Sequence, residues 1–209
     1  PKFPFLCLTV SGGHTQIVLV KSVEDMTVIG ETLDDAAGEA FDKSAKILGL
    51  PYPGGPLIDK YGKDGDKLKF IFGKHKVGEL NFSYSGIKTS ILRVIEKGIS
   101  ENPNFIEENL NDLCASIQHT IVEILIKKIM KASKELGINE IAIAGGVSAN
   151  SYLRNRLKEL QDKYNKQVFI PKFEYCTDNA AMIAISGYYK FLEGEFADQS
   201  VTPKSRFAL

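Results

Sequence analysis

The chain has 209 residues, of which 44% are hydrophobic and 25% charged, enough to bury a real core as one large domain or two small ones. Its 26 basic and 26 acidic side chains balance to zero, so global charge predicts no nucleic-acid partner. Nothing approaches the roughly 18 consecutive apolar residues of a membrane span, and no basic-then-apolar leader opens the chain, so neither a membrane segment nor a signal peptide is expected.

Residues 3–11, 14–21 and 26–32 read as successive strands, the first two joined by a short turn at Gly12-Gly13. Ile17, Val18, Leu19 and Val20 form an apolar run of the kind found in a strand covered on both faces. After Asp34-Asp35 the period becomes helical, with Ala37, Ala40, Phe41, Ala45 and Leu48 recurring at threes and fours until Gly49. A rigid loop, LPYPGGP at 50–56, leads to a short helix at 57–61, and 62–82 is polar and irregular. A helix over 83–98 is expected to open with a serine cap at Ser83 or Ser85. Another runs over about 105–136, where Leu110, Leu113, Ile117, Ile121, Ile124, Leu125 and Ile129 form a core-facing stripe. Then come a strand at 140–144, a second Gly-Gly turn, a helix at about 149–164, a strand at 167–170, and a last helix opening at Thr177-Asp178. Strands, a helical insertion, then alternating β and α segments make an α/β architecture.

Two glycine turns hold most of the chemical information. VSGGHTQ at 10–16 and AGGVSAN at 144–150 each follow a strand, and glycine there lets backbone N–H groups approach an anion or a sugar with no Cβ in the way. Taken singly, a plain hairpin turn is the favoured account of the first, and a helix cap at Ser148 or Asn150 that of the second. Asp34, Asp35, Glu39 and Asp42 crowd one helix start; the helix dipole favours acids there, yet Asp35, Glu39 and Asp42 also share a face that could meet ribose hydroxyls or a metal-bound phosphate. Thr177 or Asp178 is a natural N-cap. The three histidines, His14, His75 and His119, show no metal-binding spacing. Cys7, Cys114 and Cys176 are scattered, which fits a reducing cytoplasm, and Cys7 and Cys114, set among apolar residues, read as small core residues. The lysine-rich stretch at 60–76 reads by itself as a solvated loop face.

Taken together, VSGGHTQ, DDAAGEAFDK (34–43), LGLPYPGGP (48–56), FSYSGIKT (82–89), AGGVSAN and CTDNAAMIA (176–184) resemble the tRNA N6-adenosine threonylcarbamoyltransferase (TsaD) family, also known as the glycoprotease family. The resemblance implies an actin-like ATPase fold of the Hsp70 and sugar-kinase superfamily. This chain would be its C-terminal lobe, with a helical insertion at about 34–104, and the first lobe would lie upstream. It implies transfer of a threonylcarbamoyl group from threonylcarbamoyl-adenylate to N6 of adenosine 37, in tRNAs reading codons that begin with A. Thr9, Val10, Ser11, Gly12 and Gly13 would contact the acyl-phosphate part of the adenylate. Asp42, Gly55, Asp59 and Asn150 would hold the nucleoside, and Asp178 would ligate a divalent metal, iron or zinc. The family's partner histidines belong to an HxxxH motif upstream of VSGG, so this chain alone is expected to bind metal poorly and to lack transferase activity. A paralogous actin-like subunit, a small ATPase and a cytoplasmic location are further implications. A glycoprotein-cleaving metalloendopeptidase and a non-catalytic nucleotide-binding scaffold are the alternatives. No HExxH supports the first, and retention of Asp178, Asn150 and the SGGHT turn argues against the second.

Overall fold

The computed structural model describes residues 1–73 and 77–203. The β-branched and aromatic runs near the start form three antiparallel strands, β1 (Phe5–Val10), β2 (Thr15–Val20) and β3 (Met26–Glu31). β1 also pairs in parallel with β4 (Glu140–Ala144), which pairs in parallel with β5 (Gln167–Phe169). The result is one mixed sheet of order β3-β2-β1-β4-β5, with β1 at its centre. Alternation along β1 sends Leu6, Leu8 and Val10 into the core. Adjacent Ile17 and Val18 are both buried, so β2 is covered on both faces, as its apolar run predicts.

Three helices, α1 (Ala37–Ile47), α2 (Gly54–Tyr61) and α3 (Ser85–Glu101), separate β3 from the long α4 (Phe105–Leu136). α5 (Ser151–Tyr164) follows β4, and α6 (Ala180–Glu193) follows β5. α4 packs against α1, α2, α3 and α5 and is the spine of the core. Its Leu113, Ile117, Ile121, Leu125 and Ile129 are fully buried, each contributing about 1.5–3 kcal/mol of transfer free energy. Cys114 belongs to the same core, and burial pushes its thiol up to about 12. No helix among the described residues is long and apolar enough to cross a membrane.

Helix ends depart from the sequence-based expectations, and at α2 and α3 the reason is that the N–H groups are capped by distant residues. α3 is not capped by Ser83 or Ser85. Asp34 reaches across instead, its Oδ1 accepting the N–H groups of Tyr84 (2.7 Å) and Ser85 (3.2 Å) and its Oδ2 the hydroxyls of Ser83 and Ser85. α2 begins at Gly54 rather than 57, since Asp42 Oδ1 accepts from the N–H groups of Gly54 and Gly55. α6 is capped by Asn179, whose Oδ1 accepts from Met182 N–H, leaving Thr177 and Asp178 upstream of the helix. Asp35 precedes α1, so the expected Asp35–Glu39–Asp42 ridge does not form. Lys43 instead binds Asp35 at 2.7 Å and Glu39 at 2.9 Å.

The lysine-rich stretch is less free than a solvated face implies. Lys69 pairs with Asp112 at 2.6 Å, and the Lys67 ammonium lies 5.4 Å from the centre of the Tyr152 ring. Lys74, His75 and Lys76 lie outside the described residues. α6 stands apart from the core: none of its residues is buried, and Met182, Ile183, Ile185, Tyr188, Phe191 and Leu192 are exposed.

Burial acts to raise the Asp34 pKa, but hydrogen bonds from Ser83, Tyr84 and Ser85 outweigh it and hold the carboxyl below the usual aspartate range. Its folded value is lower than its unfolded value of about 3.9, so its stabilisation is complete above that pH and drains away as pH falls through the folded value. Asp34→Ala is expected to cost about 1 kcal/mol at neutral pH, by the usual worth of a helix cap. In urea titrations that difference shrinks as pH is lowered from about 5 towards about 3. A cost that persists unchanged in acid would show that the carboxylate charge is not what Asp34 contributes.

Candidate functional site

The two glycine turns meet at the C-terminal end of β1. Gly38, in the first turn of α1, lies so close to this edge that a Cβ there would sit 2.6 Å from the Ser11 carbonyl oxygen, and its N–H donates to that oxygen at 3.1 Å. Gly145 approaches from β4, at φ +90°, where a Cβ would sit 2.3 Å from the Val10 carbonyl oxygen. Ala37 N–H donates to Thr15 Oγ1 at 2.8 Å, tying the start of α1 to β2 as well. The end of β1 is thereby gripped between α1 and the second turn.

This grip leaves an open cleft of about 460 Å³. One wall holds Gly12, Gly38, Phe41 and Asp42; a second holds Tyr52, Pro53, Gly55, Pro56 and Asp59; the third holds Gly146, Val147, Ala149 and Asn150. Five residues read from the sequence as ligand contacts therefore share one cavity: Gly12, Asp42, Gly55, Asp59 and Asn150. The other four lie outside its lining. Val10 is buried in the core, and the Thr9 hydroxyl lies 3.8 Å from Cys7 Sγ, on the strand face opposite Val10. Ser11 Oγ accepts from the N–H groups of Gly13 (3.3 Å) and His14 (3.0 Å), so the turn satisfies these two amides internally.

Each polar side chain in the cleft also holds the fold. Asp42 fixes the start of α2 through Gly54 and Gly55. Asp59 accepts from Ser151 N–H (3.0 Å) and Ser151 Oγ (2.7 Å), pinning the start of α5. Asn150 caps α5 by accepting from Leu153 N–H at 2.9 Å and donates from Nδ2 to Gln118 at 2.6 Å. The helix-cap and ligand readings of Asn150 therefore converge on one residue, with one amide hydrogen left for a ligand. The Ser148 hydroxyl is buried and finds no hydrogen-bond partner among the described residues.

Arg154, which the sequence did not single out, clasps the second turn to the segment leading to Asp178. Its Nε donates to the Ser148 carbonyl (2.8 Å), its terminal nitrogen to the Pro171 carbonyl, and its guanidinium stacks 4.1 Å from the centre of the Phe173 ring. The only advance signal was its place one turn into the helix after AGGVSAN. Thr177 reaches the cleft edge, and Asp178 is exposed just beyond it. Among the described residues no three His, Cys, Asp or Glu side chains gather as a metal site needs, so within that set Asp178 offers a single donor and does not by itself fit a bound metal.

The grip and the clasp are separately testable. Gly145→Ala forces a Cβ onto the Val10 carbonyl at a left-handed φ and is expected to destabilise the protein by more than about 2 kcal/mol in thermal or urea unfolding. Arg154→Ala should leave the core intact while speeding amide hydrogen exchange across 171–178; unchanged exchange there would exclude the clasp.

Comparison with known proteins identifies the family and the fold. The family model for TsaD, tRNA N6-adenosine threonylcarbamoyltransferase, matches residues 1–185. The tRNA N6-adenosine threonylcarbamoyltransferase of Christiangramia forsetii is 61% identical over 207 residues, covering 99% of this chain and 61% of the relative. That of Riemerella anatipestifer is 57% identical over 209 residues, again covering 61% of the relative. The chain thus spans about three fifths of the length of these curated relatives. A crystal structure of full-length HypF in its phosphate- and nucleotide-bound form superimposes with TM-score 0.69 at 14% identity, over 94% of this chain and 34% of that one. The shared fold is the actin-like ATPase fold with its mixed α/β sheet. The chain belongs to the TsaD family.

Proposed function

We propose that the full-length protein carrying this chain transfers the threonylcarbamoyl group of threonylcarbamoyl-adenylate to N6 of adenosine 37 in tRNAs reading codons that start with A. The observation that carries this reading is the cleft itself: Gly12, Asp42, Gly55, Asp59 and Asn150, scattered over 139 positions of sequence, line one cavity in a chain 61% identical to a curated transferase. The adenylate is a mixed anhydride and arrives activated. The N6 amine attacks the carbamoyl carbon, the bond to the phosphate oxygen breaks, AMP leaves and the amine sheds a proton. Such a reaction needs orientation more than a covalent nucleophile, and effective molarity from correct placement contributes several kcal/mol. Asp42, Asp59 and Asn150 are held rigid by their capping bonds, so they present fixed acceptors and a donor to the nucleoside. Gly12 has nothing within 4 Å of where a Cβ would stand, and leaves room for the acyl-phosphate beside it. Thr9, Val10, Ser11 and Gly13 shape that turn from behind.

In this reading the chain is the second lobe of the actin-like fold, with α1–α3 as the insertion at about 34–104. α6, apolar and wholly uncovered, supports a further lobe or subunit packing against it. Asp178 joins metal ligands supplied from outside this chain, and the 209 residues alone lack transferase activity. A divalent metal, tRNA, a paralogous actin-like subunit and a small ATPase complete the expected system.

The deciding assay gives the full-length protein, with its partners and labelled threonylcarbamoyl-adenylate, unmodified tRNA in one reaction and a glycoprotein in another. Label transfer to tRNA without glycoprotein cleavage is expected, and cleavage without transfer would overturn the reading. Asp178→Ala in that protein should abolish transfer; full activity would favour a scaffold. For the isolated chain, tight one-to-one metal binding would contradict the assignment of the remaining ligands to other residues.

A further inference from the structure

The loop between α1 and α2 carries a feature that neither the core nor the nucleoside cleft explains. Tyr52 is 85% exposed, yet it stands at the rim of the cleft and also borders an adjoining depression of about 480 Å³. That depression is walled by Asp42, Lys43, Lys46, Leu50, Pro51 and Gly54. Leaving an aromatic ring in water forfeits the transfer free energy that burial would give it.

The backbone that carries this ring is held on both sides. Pro51 and Pro53 flank it, Leu50 N–H donates to the Ala45 carbonyl at 3.0 Å, and Asp42 Oδ1 takes the N–H groups of Gly54 and Gly55. A ring on so constrained a loop loses little conformational entropy when something stacks on it. The charges beside it differ in availability. Lys43 is committed to Asp35 and Glu39. Lys46, one turn further along α1, is exposed and has no ion-pair partner among the described residues. An exposed aromatic face beside a free ammonium is the pairing that single-stranded nucleic acid meets, base on ring and phosphate on cation.

We propose that Tyr52 and Lys46 form an RNA-docking step at the mouth of the cleft, where Tyr52 stacks an unpaired base of the acceptor and Lys46 contacts its phosphate. The assignment rests on the transferase reading, because that reading supplies an RNA acceptor. Base–aromatic stacking is worth about 1–3 kcal/mol per base, so loss of the ring weakens RNA binding by about tenfold. Loss of one phosphate contact lowers the slope of log affinity against log salt by about 0.7.

The test measures binding of an unmodified tRNA transcript and, separately, of AMP to the full-length protein and its variants. Tyr52→Ala is expected to weaken tRNA binding by about tenfold, well beyond any change in AMP affinity, while Tyr52→Phe keeps both. Lys46→Ala is expected to reduce the salt slope for tRNA without affecting AMP. Unchanged tRNA affinity in Tyr52→Ala overturns the assignment alone. A loss of AMP affinity in that variant as large as its loss of tRNA affinity also overturns it, placing the ring on the adenylate instead. A wild-type protein that binds AMP but no tRNA overturns both the assignment and the transferase reading.

Discussion

The rest of the structure depends on a close backbone approach at the end of β1. The Val10 and Ser11 carbonyls are met from opposite sides by Gly145 and Gly38, at distances that exclude any side chain. That contact fixes where β1 stops and where α1 starts. It also fixes where the turn after β4 crosses over, and so the separation of the cleft walls. β1 sits at the centre of the sheet, hydrogen-bonded to β2 and β4, so its end has little freedom to drift. A rigid sheet edge that presents turns from separate segments is where α/β folds generally bind ligands.

The same economy governs the polar groups. Asp42, Asp59 and Asn150 each face the cleft and each close a helix start. Cleft and fold therefore share side chains, and a substitution at any of the three perturbs helix docking along with the cleft wall. Gly12 and Thr177 line the cleft without such duties, which makes them the cleaner positions for separating binding from stability. Arg154 extends the coupling outward, since its guanidinium connects the second glycine turn with the segment that carries Asp178.

Local features of the sequence were readable because they rest on local physics. The apolar alternation of β1, the stripe of α4 and the glycine stops between elements follow from period and propensity, and the structure places those elements within a few residues of expectation. Caps supplied from a distance were not readable. Asp34 lies about fifty residues before the α3 start that it caps, and Asp42 twelve before the α2 start, so the nearby serines and prolines gave the wrong cap or the wrong first residue. The acidic ridge failed for a related reason: Asp35 lies outside the helix, and Lys43 draws it aside. Five of the nine expected ligand residues converge on the cleft, because the family motifs mark the turns themselves. The clasp by Arg154 and the exposure of Tyr52 follow from how elements pack, which no single window of sequence records.

The most direct measurement is a crystal structure of the full-length protein with AMP bound. Convergence of the two glycine turns on one nucleoside site predicts the ribose and base between the Gly12, Asp42 and Gly55 walls and the Gly146–Asn150 turn, with Asp59 and Asn150 within hydrogen-bond reach. AMP bound elsewhere, with this cleft empty, would contradict it.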